Sequence, residues 1–456
     1  MIFKTLRIIF MLIVLIAFIW GFSDSYSSHN IDNIAHIVAI GIDKSTHEGN
    51  NIKVSFQFVN TSSNSSESSS SDNSSTVVTS IDSTTLNRAI NLMNSYIGKE
   101  LNFSHCKVVV FSEDFAKNGI ESEICALINN EELRPSTNIV VSTSDANTYL
   151  KNSNPNIEKL VTNYYDTFEL TSNFTGYSDD VTIGSFYNKL FSPSRANTAI
   201  LGRTFQKVSS FESSSEGKSD SSSQNQSSAS DRDTQKEKSP EDLQNTIELK
   251  NGESGKSSGG NNVENDSGGA TLEISGQRGT QNVGIGVFKY GKYLGQLSEI
   301  DSICHLLITN NVDTFILSVP IEGYPENLID LDVSSVRNTN IKVDTSSDSP
   351  NISISIYCEA KILTVDGSSN YTDSRIIEDI SKKGEKYLKQ NVETYLYKTS
   401  KEFKADIDSF SNHALSNYLT TADWENYDWI SKYENASFTV SIRFNVISSL
   451  LFSGNQ

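Results

Sequence analysis

Two kinds of apolar periodicity run along the chain and divide it into stretches that can fold and stretches that cannot. In IKVSFQFV, Ile52, Val54, Phe56 and Phe58 alternate with Lys53, Ser55 and Gln57. That period of two marks a half-buried strand. The strongly apolar run Ile34 to Ile42 precedes it across the turn-like HEGNN, so the two predict a hairpin with one face on a core. Leu86, Ile90, Met93 and Ile97 then fall at helical spacing, with Gly98 as the stop. Leu101 to Phe111 (LNFSHCKVVVF) predicts a buried strand, and Glu113 to Ile128 a helix whose apolar side is Phe115, Ile120, Ile124 and Leu127. Asn138 to Ser142 predicts another strand and Ala146 to Leu150 the start of another helix, an order that suits a layered α/β or α+β structure.

A second foldable stretch begins at Val283. Gly284 to Ser298 reads as a hairpin around Tyr290-Gly291-Lys292, and Thr314 to Val319 as a strand. Ile352, Ile354, Ile356, Cys358, Ala360 and Ile362 form one face of a long strand, which turns Glu359 and Lys361 to the other side. From Asp373 to Lys404 the stripe Ile377, Ile380, Leu388, Val392, Tyr395, Leu396 and Phe403 predicts a long helix. Lys382, Lys383, Glu385, Lys386 and Lys389 make up its polar face. Such a face is read as solvated, with contact to anionic lipid as the alternative. Phe438, Val440, Ile442, Phe444 and Val446 predict a last strand.

Between these regions the pattern stops. Asn60 to Ser75 is a serine-rich loop, and about Gln206 to Gln281 is Ser, Gly, Asn, Asp and Lys with almost no large apolar residue. Such composition cannot offset the entropy of ordering, so it predicts a flexible linker. At the other extreme, Leu6 to Phe22 is apolar after Arg7, with Lys4 and Arg7 on its N-terminal side and SDSYSSHN after it. These are the parts of an export signal or a membrane anchor. No A-x-A cleavage site follows; Gly21-Phe22-Ser23 has small residues at its two outer positions only. The expected division is 1–22 signal or anchor, 30–205 first folded region, 206–281 linker and 282–450 second folded region.

Charge removes one function class. The net charge of −19 and pI near 4.8 argue against nucleic acid, which requires basic patches. Cys106, Cys125, Cys304 and Cys358 form no C-x-x-C metal or redox pattern. Export permits disulfides, but the spacing does not pair them. Gly255-Lys256-Ser257 resembles a phosphate loop, yet Lys250 stands where the earlier glycine is required. Gly284-x-Gly286 is not a dinucleotide loop, since Lys289 occupies the third glycine position. His105 is expected in the Leu101 to Phe111 strand as a satisfied core residue, with neighbouring Cys106 on the opposite face. No G-x-S-x-G, H-E-x-x-H or family-type cysteine nucleophile is found. No catalytic, cofactor-binding or metal residue is therefore assigned, and no cofactor is expected.

Four stretches in order carry a resemblance: IDNIAHIVAIGIDK (Ile31 to Lys44), LNFSHCKVVVFSEDFAKNGI (Leu101 to Ile120), GVFKYGKYLGQLS (Gly286 to Ser298) and KEFKADIDSF followed by ADWENYDW. The chain resembles the Ger(x)C family, the C subunits of spore germinant receptors. The resemblance implies an α+β protein of several small mixed sheet and helix domains behind the N-terminal helix. It also implies a place on the outer face of the spore inner membrane, beside A- and B-type membrane subunits, in a complex that responds to small-molecule germinants without enzymatic activity of this subunit. Two features depart from the family pattern. The lipoprotein signal ends in Gly-Cys-Trp-Asp, but Gly21, Phe22, Ser23 and Asp24 stand here, so the lipidated cysteine is absent. The linker is also longer. The competing classes are an exported hydrolase with scattered carboxylates and an exported cell-wall-binding protein, the latter without the internal repeats that would favour it.

Overall fold

Two mixed β-sheets with a buried helix between them make up the computed structural model, which describes residues 2–23, 33–59, 76–153, 160–192, 194, 196–205, 278–321, 324–363 and 373–447. The apolar N-terminal run forms helix α1 (Ile2–Ser23). Side chains from Leu6 to Ile16 that are large and apolar all lie exposed. Among the described residues no helix is long and apolar enough to cross a membrane.

The larger sheet has nine strands. Its path runs through β3 (Thr76–Ser83), β2 (Ile52–Val59), β1 (Ile34–Lys44), β5 (Val108–Ser112), β6 (Asn138–Ser142), β7 (Asn197–Thr204), β8 (Thr280–Lys289) and β9 (Lys292–Leu297), with the short β4 (Glu100–Asn102) also beside β1. The central strands β1, β5, β6 and β7 are parallel, and both wings are antiparallel. Parallel strands need crossovers, and the crossovers cover both faces. Val109 and Phe111 of β5 pack with α2 (Leu86–Ile97), α3 (Glu113–Ala116), α4 (Glu121–Ile128) and α7 (Ile183–Leu190). Val108 and Val110 pack on the other face with α5 (Ala146–Asn152) and α6 (Val161–Thr175). That double coverage is why VVVF (Val108 to Phe111) is continuously apolar and does not alternate.

The predicted hairpins and α2 form, but the first hairpin is covered on both faces: Ser55 and Gln57 of β2, expected on the polar side, are buried. Gly98 caps α2 in the left-handed conformation, and Tyr290 and Gly291 both take positive φ in the two-residue turn between β8 and β9. Two further expectations change. Leu101 to Phe111 is not one strand, because the Glu132 carboxylate accepts from the Phe103 N–H at 2.9 Å and the Asn102 side chain at 3.0 Å. The chain turns there, with the Cys106 N–H on the Phe103 carbonyl, and β4 and β5 each pair with β1. Glu113 to Ile128 is not one helix either. Gly119 takes φ +110° and the Ile120 N–H goes to the Gly291 carbonyl at 2.9 Å, so docking of the β8–β9 turn separates α3 from α4.

The smaller sheet is β10 (Thr314–Ile321), β11 (Tyr324–Asp344), β12 (Asn351–Ile362) and β13 (Ser437–Ile447), the last pair parallel. The crossover from β12 to β13 carries α9 (Ser374–Tyr397), a π-helical turn (Lys398–Glu402), α10 (Phe410–Leu415), α11 (Thr421–Tyr427) and α12 (Trp429–Tyr433). The last helical turn expected up to Lys404 is thus wider than an α-turn. Helix α8 (Glu299–Thr309) lies between the sheets, buried on every side from Asp301 to Ile308. Its core includes Ile285 and Val287 of β8 together with Leu331, Ile354 and Ile356 of the smaller sheet. The serine-rich loop at 60–75 and the expected linker up to 277 lie outside the described residues. Strand β8 begins at Thr280, inside the stretch expected to be linker.

Helix α9 approaches the smaller sheet most closely at Gly384. A Cβ there would meet the buried Phe444 ring at 2.6 Å. Alanine gains about 1 kcal/mol of helix propensity over glycine, but overpacking against a stiff ring costs about 1–3 kcal/mol. We expect Gly384→Ala to lower stability by a net amount of about 1 kcal/mol, read as a lower urea midpoint. An unchanged or higher midpoint would mean that the Phe444 ring moves aside at little cost.

Candidate functional site

The fully buried α8 carries a histidine at its centre. His305 is 2% exposed, and its Nδ1 lies 2.8 Å from Asp408 Oδ1 while its Nε2 lies 3.5 Å from Asp179 Oδ2. Asp179 comes from the segment between α6 and α7, and Asp408 from the segment after the π-helical turn. Tyr395 of α9 donates its hydroxyl to Asp408 Oδ1 at 2.7 Å, and Thr198 of β7 donates to Asp179 at 2.7 Å. Nearby, buried Asp406 accepts from the N–H groups of Phe410 and Ser411 and from Trp429 Nε1, at 2.8 to 2.9 Å. The cluster edges a polar cavity of about 350 Å³ that Lys189, Asn197, Asn412 and His413 also line.

Burial alone would discharge His305. The two carboxylates beside it reverse that and raise its pKa to about 9. Burial likewise pushes Asp179 up, but the hydrogen bond and charge of His305 outweigh it and hold Asp179 at about 2. For Asp406 burial wins over its backbone N–H donors and the group rises to about 6. A doubly protonated imidazole keeps no lone pair with which to take a proton. In that protonation state the arrangement joins elements from separate parts of the chain.

The structure moves His105 out of the core. It sits in the turn between β4 and β5, exposed, and its ring stands edge-on to His36 of β1 at 5.2 Å between centroids. Cys106 is buried and its thiol is pushed up to about 12 by burial; Cys358 likewise reaches about 12. The four cysteines are free thiols. Glu359 lies on the outward face of β12, and on α9 Lys382 and Lys383 pair with Glu378 and Asp379 at 2.8 Å. Phe22 falls within α1, and its side chain lies outside the described residues. Of these only Cys304, the buried neighbour of His305 on α8, lies beside the His305 cluster. Sequence reading missed His305, whose segment EIDSICHLLIT has no one-sided pattern, but it did single out KEFKADIDSF, which contains Asp406 and Asp408.

Comparison with known proteins explains that conjunction. Residues 27–202 match the model of the spore germination protein N-terminal domain, and residues 283–449 match the spore germination B3/GerAC-like C-terminal domain. The chain belongs to the Ger(x)C family of spore germination proteins. No curated protein sequence matches it. A solved structure titled the crystal structure of the GerBC protein is 14% identical, with a TM-score of 0.47 over 90% of this chain and 98% of its own. In this Ger(x)C protein the cluster is a seam: Asp179 and Thr198 lie in the first matched region, and His305, Tyr395 and Asp408 in the second.

The sign of the pH dependence follows from the shifts. A His305 pKa raised from 6.5 to about 9 contributes stability that is complete below 6.5 and is lost as pH rises through about 9. Asp179, depressed from 3.8 to about 2, contributes stability that is present above 3.8 and is lost as pH falls through about 2. Asp406, raised from 3.8 to about 6, contributes stability that is complete below 3.8 and is lost as pH rises through about 6, on the acidic side of the His305 transition. Removing the cation leaves buried carboxylates unpaired, at a cost of about 3–5 kcal/mol. In urea titrations His305→Gln should therefore be less stable than wild type at acidic to neutral pH, and the gap should close as pH passes about 9. A gap that is constant with pH would refute a charged His305.

Proposed function

We propose that this chain is the C subunit of a spore germinant receptor, without catalysis of its own, acting in nutrient-triggered germination with A- and B-type membrane subunits. The observation that carries this reading is the pair of family regions, 27–202 and 283–449, interlocked around one buried cation. A protonated His305 between carboxylates supports a joining role over a reactive one. In a strain lacking redundant receptors, deletion of the gene should abolish germination with at least one nutrient, and the wild-type chain should restore it. Unchanged germination with every nutrient tested would overturn the proposal.

On this reading α1 holds the chain at the outer face of the spore inner membrane. Phe22 offers no thiol for a thioether to diacylglycerol. Exposed apolar side chains from Leu6 to Ile16 support burial in lipid, and the apolar sequence continues to Phe22. At 1.5 Å per residue this run covers about 25 Å, against a hydrocarbon core of ~30 Å, a mismatch that local thinning absorbs. Mass spectrometry of the mature chain should recover a peptide that retains residues 8–22. A free terminus between Asp24 and Ser28 would replace the anchor with a cleaved signal, and a lipid adduct would place the true start of translation elsewhere.

A further inference from the structure

An apolar groove of about 690 Å³ opens where the first folded residues begin. Ile34, Val38, Phe58, Val59, Val77 and Ile97 form its walls, from the start of β1, the end of β2, the start of β3 and the end of α2. Its polar rim is basic: Lys99, Lys107, His36 and His105 against Asp166 alone. Lys107 is held by Asp166 at 2.7 Å, whereas Lys99 is exposed and has no acidic partner among the described residues. His36 Nδ1 is buried without a hydrogen-bond partner, although the two imidazoles stand 5.2 Å apart. In a chain of net charge −19, an apolar groove edged by one free lysine and two imidazoles is the reverse of the average surface. It matches an amphiphile with an acyl body and a phosphate head.

Chain geometry says where such a molecule would come from. Nine residues, and so ten Cα-to-Cα steps, separate Ser23, the end of α1, from Asn33. Fully extended, they reach on the order of 35 Å. If α1 is in the bilayer, as argued above, the groove is tethered within reach of the headgroup layer. We propose that the groove takes an acyl chain of an anionic membrane phospholipid, with Lys99 and the His36–His105 pair meeting its phosphate. The inference rests on the membrane reading of α1, and the test separates the two.

The full-length chain is reconstituted in nanodiscs containing phosphatidylglycerol with a photoreactive acyl chain, and cross-linked peptides are mapped by mass spectrometry. Label should appear both in α1 and on peptides containing Phe58, Val77 or Ile97 to Lys107. Lys99→Glu, an exposed change that leaves the core intact, should lower the groove label at least several-fold while the α1 label stays. Labelled phosphatidylcholine should mark α1 but mark the groove much less. Label on α1 alone, or groove label indifferent to Lys99→Glu and to headgroup charge, would overturn the groove proposal and leave the anchor standing. Absence of label from α1, with protein free of the discs, would overturn the anchor reading. Groove labelling by a free photoreactive fatty acid but not by the phospholipid would overturn the membrane source in favour of a soluble amphiphile.

Discussion

A positive charge buried in a protein interior must be matched on the spot, and in this protein that requirement joins the two sheets. His305 is carried by a helix with no exposed face and is itself 2% exposed, so bulk water does little to solvate it. It stays charged only because Asp179 and Asp408 arrive from opposite sides, and each of those depends on further donors, Thr198 and Tyr395. Five side chains from separate parts of the chain are thus committed to one point. Buried ion clusters contribute little net stability relative to apolar packing, but misplacing one partner is costly. The cluster therefore acts against alternative packings of α8 more than it adds to the depth of the native minimum.

The second interlock is made of backbone. The C-terminal family region supplies β8 and β9 to the sheet that the N-terminal region begins, and the β8–β9 turn reaches back to receive the Ile120 N–H. Lys289 of β8 also donates to the Lys404 carbonyl at 2.6 Å, which ties the end of that strand to the segment that presents Asp408. Sheet pairing and the ion cluster thus converge on residues 404–408. A disturbance at that segment would be felt by both.

How much of this could be read from sequence depended on whether a segment is buried on one side or on all sides. Strands β12 and β13 and helix α2 each present one face to a core, and their periodicity gave them away; β2 and the β8–β9 hairpin were legible from alternation and turn residues although both faces of β2 and β8 are covered. The α3/α4 break and the β4/β5 turn were invisible because their causes, Gly291 and Glu132, are remote in sequence. His105 looked like a core residue because the apolar run around it hid a turn built on Asn102 and Ser104. His305 escaped for the opposite reason. A helix enclosed on all sides has no polar face to set its histidine apart, and its partners lie about a hundred residues away on either side. Only the family-like stretch around Asp406 and Asp408 pointed toward the site.

The pairing of β7 with β8 has a consequence for the long stretch between them. Thr204 and Thr280 are register partners, and the Phe205 N–H bonds to the Gly279 carbonyl at 2.8 Å. The intervening chain therefore leaves and re-enters the sheet at one rung of the ladder. The entropic cost of closing a segment between fixed ends grows only with the logarithm of its length, about 0.6 kcal/mol for each doubling. An insertion at this rung can lengthen, shorten or change composition over evolutionary time without altering any strand register. The seam around His305 is thereby insulated from changes in the length of that stretch.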